Sequence, residues 1–220
     1  MVKIDLHVHS IASKDGGITE KQMHKVFDAS ILDVIAITDH GSANYAIELK
    51  KVFGAKIIVG QEIKTNEGEI IGLFITQTIA DNKTLHDTIT MIKDQGGLVY
   101  VPHPFETIRK GLKQNSLENE LGRIDIIETH NGRTSQNKSF HAVEFAAEYS
   151  LPQAASSDAH SLGGIGRTYM KVAEFPTREN LISLLKGDHL IYQKPPISAK
   201  LAPKINRLKK LTFISRAPKV

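Results

Sequence analysis

At 220 residues, 40% hydrophobic and 24% charged, the chain is long enough to bury one sizeable core and has an ordinary globular composition. No run approaches the ~20 apolar residues of a membrane span, and the absence of cysteine excludes disulfides, thiolate metal sites and a cysteine nucleophile. The formal charge of +4 is uneven: from residue 195 onward there are seven basic residues and no acidic one, which leaves 21 basic against 24 acidic residues in the body.

In chain order, Met1 leads straight into a strand pattern, which predicts no signal peptide and, with the lack of cysteine, a cytoplasmic setting. Strand-length apolar runs at 2–8, 33–38, 56–62, 70–76, 98–102, 124–129 and 152–157 alternate with helix-period segments at 19–29, 43–53, 83–95, 138–149 and 178–186. Thr19 with Gln22 forms a capping-box signal, Thr84 with Asp87 a weaker helix start, and Gly96-Gly97 a helix stop. Nearly continuous apolar runs such as Val34-Ile35-Ala36-Ile37 belong to strands buried on both faces. Alternating strands and helices predict an α/β fold of parallel units, either a barrel or an open sheet. No dinucleotide fingerprint or phosphate loop is present, and Gly163-Gly164-Ile165-Gly166 opens no clear helix. Pro195-Pro196 marks the one boundary, dividing a catalytic body at 1–194 from a basic tail at 195–220, packed on the body or extending from it. Within the tail, 205–211 reads as a short basic helix.

Six of the ten histidines stand at or just beyond strand ends: His7, His9, His40, His103, His130 and His160. Carboxylates accompany them at Asp15, Asp39, Glu62 and Asp158. In a parallel α/β fold the C-terminal strand ends share one face, so residues distant in sequence converge there. The spacings His7-x-His9 and Asp158-x-His160 place each pair on one side of its strand. Imidazole and carboxylate suit Zn, Mn or Fe, with Mg also admissible, and the number of donors calls for two or three divalent ions. A lone histidine at a strand end is more often structural, and it is the set that points to metal. His24, His86, His141 and His189 fall on helix patterns or in a late loop and read as surface or packing residues.

In this order the motifs resemble the PHP (polymerase and histidinol phosphatase) superfamily. They are Asp5-Leu6-His7-Val8-His9-Ser10, Ile35-Ala36-Ile37-Thr38-Asp39-His40, Gly60-Gln61-Glu62-Ile63, Pro102-His103-Pro104, Glu128-Thr129-His130-Asn131-Gly132-Arg133 and Ser157-Asp158-Ala159-His160. The resemblance implies a distorted (β/α)7 barrel with parallel strands, a trinuclear centre at their C-terminal ends, and a metal-bound hydroxide that hydrolyses a phosphate mono- or diester. It further implies that His7, His9, Glu62 and Asp158 hold a first ion, that Glu62 bridges to a second held by His103 and His130, and that Asp15, His40 and His160 hold a third. Amidohydrolase barrels also open on H-x-H but want a bridging lysine, where this chain has Glu62.

Arg109, Arg133 and Arg167 follow strand-end motifs and are candidates for gripping phosphoryl oxygens, against the competing reading of surface arginines paired with acids. Asp39 is a candidate for orienting His40 or transferring a proton. The expected partner is a phosphorylated small molecule or nucleotide. Two other readings stand beside it: an exonuclease whose basic tail tracks an oligonucleotide, and a non-catalytic metal-binding accessory module. The stretch 110–119 is the loop expected to close over the pocket.

Overall fold

The computed structural model describes residues 1–187 and 189–216, so Lys219 of the basic tail lies outside the described residues. The elements are β1 (Val2–Val8), α1 (Glu20–Asp28), β2 (Val34–Ile37), α2 (Asn44–Phe53), β3 (Ile57–Lys64), β4 (Glu69–Leu73), α3 (Leu85–Asp94) and β5 (Leu98–Val101), followed by α4 (Gln114–Asn119), β6 (Ile126–Asn131), α5 (Gln136–Glu148), β7 (Gln153–Ser156), β8 (Thr168–Val172), α6 (Leu181–Leu185), β9 (Leu190–Tyr192) and α7 (Ile197–Arg216). All five expected helices form within a few residues of their predicted bounds. Thr19 caps α1 through the reciprocal pair with Gln22, and Thr84 accepts from the Asp87 amide to start α3. At the end of α3 the Gly97 amide donates to the Ile92 carbonyl, with Gly96 at φ +72°.

The strands form one curved sheet in the order β7-β6-β5-β4-β3-β2-β1-β8-β9. Its open side is drawn together at the site: the His9 amide donates to the Ala159 carbonyl at 2.9 Å, and the Ser157 amide donates to Asp5 Oδ1 at 3.1 Å. The result is the expected α/β barrel, nearly closed, with a mixed rather than all-parallel sheet. Strand β4 runs antiparallel to both β3 and β5, because only 65–68 separate it from β3 and a link that short closes a hairpin, not a crossover. The pair β8–β9 extends the sheet antiparallel from β1 and was not visible as strands in the sequence.

The core has an inner and an outer part. Ile4, Leu6, Val34, Ala36, Ile58, Ile71, Tyr100, Ile126 and Ala154 pack inside the sheet. Alternate residues of the same strands face the helices: Ile35, Ile37 and Ile57 pack with Met23 and Val26 of α1 and Leu49 of α2. Val99, Val101 and Ile127 pack with α3 and α5. The tail expected as a short helix at 205–211 is a 20-residue helix, and Ala199 and Ala202 pin it to the barrel. Among the described residues no helix is long and apolar enough to cross a membrane.

This layering sets an order of stability losses. Ile35→Ala, which opens a hole between sheet and helices, is expected to cost about 2–5 kcal/mol. Thr19→Ala, which removes one cap, is expected to cost about 1 kcal/mol. Urea unfolding of both variants checks the ranking, and the reverse order contradicts this placement of the core.

Candidate metal centre

Two local irregularities aim the first histidines. Strand β1 pairs Ile4 with Val34 and Asp5 with Ile35, then slips so that Val8 meets Ile37. Leu6 and His7 therefore share the place opposite Ala36, and this bulge turns the His7 ring into the barrel with the His9 ring two residues on. His103 and Asp158 follow β5 and β7 at φ +30° and +51°, a left-handed backbone that non-glycine residues seldom adopt and that clusters at functional sites.

The convergence centres on the buried carboxylate of Glu62. Its Oε2 lies 3.4 Å from His7 Nε2, 3.2 Å from His9 Nε2 and 3.5 Å from His40 Nε2, and its Oε1 lies 3.0 Å from His103 Nε2. Asp158 Oδ1 lies 3.8 Å from His7 Nε2 and 3.6 Å from His9 Nε2, and those two nitrogens are 3.1 Å apart. Donor atoms ~2.0–2.1 Å from a tetrahedral ion stand ~3.3 Å from one another. The three edges among His7, His9 and Glu62, at 3.1 to 3.4 Å, lie near that value, and Asp158 stands farther off the two rings, grouped with His7 and His103. On one flank, Asp15 lies 3.9 Å from His40 Nε2 and 3.6 Å from His160 Nε2. On the other, Glu69 Oε2 lies 4.0 Å from His103 Nε2.

The hydrogen-bond chemistry also fits a cation. Glu128 Oε1, 3.1 Å from His7 Nδ1, accepts a hydrogen bond from the N–H on that nitrogen, which leaves the Nε2 lone pair facing other acceptors. Burial disfavours a charged His7 ring, yet the carboxylates of Asp158, Glu62 and Glu128 override it and hold the ring above the ordinary histidine range. The site thus demands positive charge at that point. Burial lowers His40 to about 4, and burial with the neighbouring His9 lowers His160. Both rings are then neutral near pH 7, the form that ligates a metal. Burial and the charges of Glu62 and Asp158 push Glu69 up to about 8.

An outer ring of contacts fixes these groups. Glu128 also accepts from Tyr100 Oη at 2.8 Å, from the His103 amide at 2.6 Å and from Asn131 Nδ2 at 2.8 Å. Arg109 Nη1 donates to Asp158 Oδ2 at 2.5 Å and Arg133 Nη1 to Asp158 Oδ1 at 3.2 Å. With His7 and His160 they overcome the effect of burial and hold that carboxyl well below its usual range. Helix α7 clamps the loop that carries Asp15. Asn206 Nδ2 donates to the Asp15 and His160 carbonyls, each at 2.9 Å, and Lys210 Nζ donates to the carbonyls of Ile11, Ser13 and Gly16. A Cβ on Gly17 would come within 2.8 Å of the Asn206 amide, so the approach is as close as glycine permits.

Of the nine expected ligands, the structure brings together His7, His9, Asp15, His40, Glu62, His103, Asp158 and His160. It does not bring His130. Strand β6 has its own bulge: Glu128 pairs with Ala154, His130 with Ala155 and Asn131 with Ser156, so Thr129 is the extra residue. The slip turns Glu128 and Asn131 inward and sends the His130 ring outward against Tyr192, 5.8 Å between centroids. Glu69 takes the place beside His103. Asp39 does not orient His40; it accepts from the amide and hydroxyl of Ser10 and so fixes the turn after β1. Arg133 and Arg109 reach the cluster, whereas Arg167 is exposed and outside the cleft. Glu69, Glu128 and Asn131 also belong to the site, though no role was expected of them. A carboxylate after Ile126-Ile127 was a usable signal for Glu128, since burying it requires partners.

A family model described as PHP-associated matches residues 138–188. MJ0417, an uncharacterized protein of Methanocaldococcus jannaschii, is 38% identical over 178 residues, covering 79% of this chain and 71% of its own. The chain belongs to the PHP superfamily. Its fold is shared with a two-domain protein from Bacteroides vulgatus containing a predicted PHP-like metal-dependent phosphoesterase, at TM-score 0.65 and 20% identity over 94% of this chain and 69% of that one. A Chromobacterium violaceum amidohydrolase is similar at TM-score 0.61 and 17% identity, covering 80% and 92% of the respective chains. The barrel is therefore common ground among these chains.

Divalent-metal affinity separates the residues that the structure gathers from the one it turns away. His103→Ala is expected to weaken Mn²⁺ or Zn²⁺ binding by roughly tenfold or more, and His130→Ala to leave it within about twofold. Equilibrium dialysis of both variants checks this, and equal losses contradict the geometry.

Proposed function

We propose that this PHP protein is a metal-dependent phosphoesterase, a hydrolase that cleaves a phosphate mono- or diester with up to three divalent ions held by its own side chains. His7, His9, Glu62 and Asp158 would hold one ion, Glu62 with His103 and Glu69 a second, and Asp15, His40 and His160 a third. The single observation that carries this reading is the set of overlapping donor groups (His7 with His9 and Glu62, His7 with His103 and Asp158, His9 with Asp15, His40 and His160, and Glu62 with Glu69 and His103) beneath a cleft of about 670 Å³ with cationic walls. When bound, such ions lower the pKa of water from ~15.7 toward ~7 and neutralise charge on phosphoryl oxygens.

The chain supplies position and charge. Glu128, itself anchored by Tyr100 and Asn131, keeps the His7 Nε2 lone pair turned toward the cleft. Arg109 and Arg133 flank Asp158 and line the cleft; the Arg109 Nη atoms are engaged by Asn131, Asp158, Thr134 and Glu106, whereas Arg133 meets Asp158 and His160 through Nη1, and its Nη2 would donate to a phosphoryl group in the cleft. No serine or cysteine nucleophile is required. A second reading, cleavage at an oligonucleotide end, draws support from Lys204 and Arg207 of α7, which line the same cleft.

The Mn²⁺-loaded protein is expected to turn over p-nitrophenyl phosphate, its bis ester or a short oligonucleotide, with activity abolished by a chelator. Asp158→Asn is expected to lower kcat by about a hundredfold or more. Steep salt dependence of oligonucleotide binding would favour the nuclease reading. A fully loaded protein that hydrolyses none of the three contradicts the proposal and favours the accessory-module reading.

A further inference from the structure

The cleft has more positive charge than one phosphoryl group at the metal cluster can use. Its inner cations are committed: Arg109 and Arg133 to Asp158, and Arg207 to Asp15. Its acids, Asp15, Glu62, Glu69 and Asp158, all lie among the donors described above. Around the mouth stand Lys14, Lys64, Lys110 and Lys204, from the loop after β1, the end of β3, the loop after β5 and α7. None of these four ammonium groups has an ion pair or hydrogen bond with another described residue. Lys14 lies close enough for its charge to lower both the His40 ring and the Glu69 carboxyl. Four ammonium groups around one opening repel one another, and an anion between them relieves that repulsion. Apolar side chains stand beside them, with Ile108 91% exposed and Leu208 64% exposed on the walls of the same cleft.

We infer that the cleft is built for a phosphoester whose alcohol part carries a second anionic group, a phosphate or a carboxylate, joined to the first by an apolar segment. The inference rests on the phosphoesterase reading for the placement of the first phosphate. That phosphate lies over Asp158 and the donor cluster, the apolar segment lies along Ile108 and Leu208, and the second anion lies among the lysines. Exposed ammonium–anion pairs are individually weak and screened by salt, so the effect is a preference that fades with ionic strength.

The test uses non-hydrolysable probes on the Mn²⁺-loaded full chain: hexyl phosphonate, hexane bisphosphonate and an ω-carboxyhexyl phosphonate, measured by calorimetry. The two doubly anionic probes are expected to bind about tenfold more tightly than hexyl phosphonate. The gap should shrink as salt is raised and close to within about twofold in the Lys14→Gln/Lys204→Gln variant. Lys204→Arg alone should keep it. Preference for the bisphosphonate alone assigns the second group as phosphate, and equal preference admits a carboxylate. Equal affinity for all three probes overturns the inference, as does a gap that survives high salt and the double substitution. A gap without hydrolysis of the corresponding phosphate esters leaves the second-anion site standing and removes the phosphoesterase reading.

Discussion

One carboxylate organises this molecule. Glu62 sits buried at the end of β3 with the Nε2 atoms of four histidines within 3.5 Å. An ionised carboxylate in that position is tolerable only if positive charge meets it. The neighbouring rings supply part of that charge, enough to hold Glu62 well below the usual carboxylate range against the opposing effect of burial, with His40 and His7 contributing most. Yet His40 and His160 themselves lose charge by burial, and His7 is pulled between burial and three carboxylates. A cluster in which acids need cations, and neutral rings present lone pairs to one another, is balanced by divalent ions placed between them.

The rest of the fold is arranged to keep those groups in register. The bulge in β1 lets His7 face inward beside Leu6, where strict alternation would have sent it out toward the helices. The bulge in β6 does the reverse for His130 and brings Asn131 in. Glu128, Tyr100 and Ser156 form a buried polar layer directly beneath the cluster, and the Tyr100 hydroxyl lies 2.8 Å from each of its two neighbours. Below that layer the barrel is filled by aliphatic side chains. The site is thus a polar lid on an apolar plug, with α7 bolting one of its loops from outside.

Much of this was legible in the sequence because period-two alternation and strand-end position are local properties. His7-x-His9, Asp158-x-His160 and Glu62 could be placed on one face without knowing which strands are neighbours. The helix caps at Thr19 and Thr84 were equally local. What escaped notice depends on pairing. A single-residue bulge at Thr129 leaves no mark in the run Ile126–Asn131, yet it decides that His130 points away. Glu69 joined the site because β4 folds back as a hairpin, where the sequence suggested another parallel unit beginning one residue later. Strand β8 lies between β1 and β9 with only alternate residues buried, β9 is a three-residue, partly buried edge, and α7 carries apolar residues around much of its circumference, so only its basic centre read as helix. The role of α7 over the Asp15 loop rests on contacts between residues about 190 positions apart, such as Asn206 with Asp15, which no window of sequence reveals.

The most direct test of the central claim is a crystal structure of the protein grown with Mn²⁺ and measured at the manganese edge. Anomalous density bounded by His7, His9, Glu62 and Asp158, with a second peak on the His103 side of Glu62, is the result this account predicts. Anomalous density elsewhere, or none within reach of Glu62 in crystals that contain the metal, would contradict it.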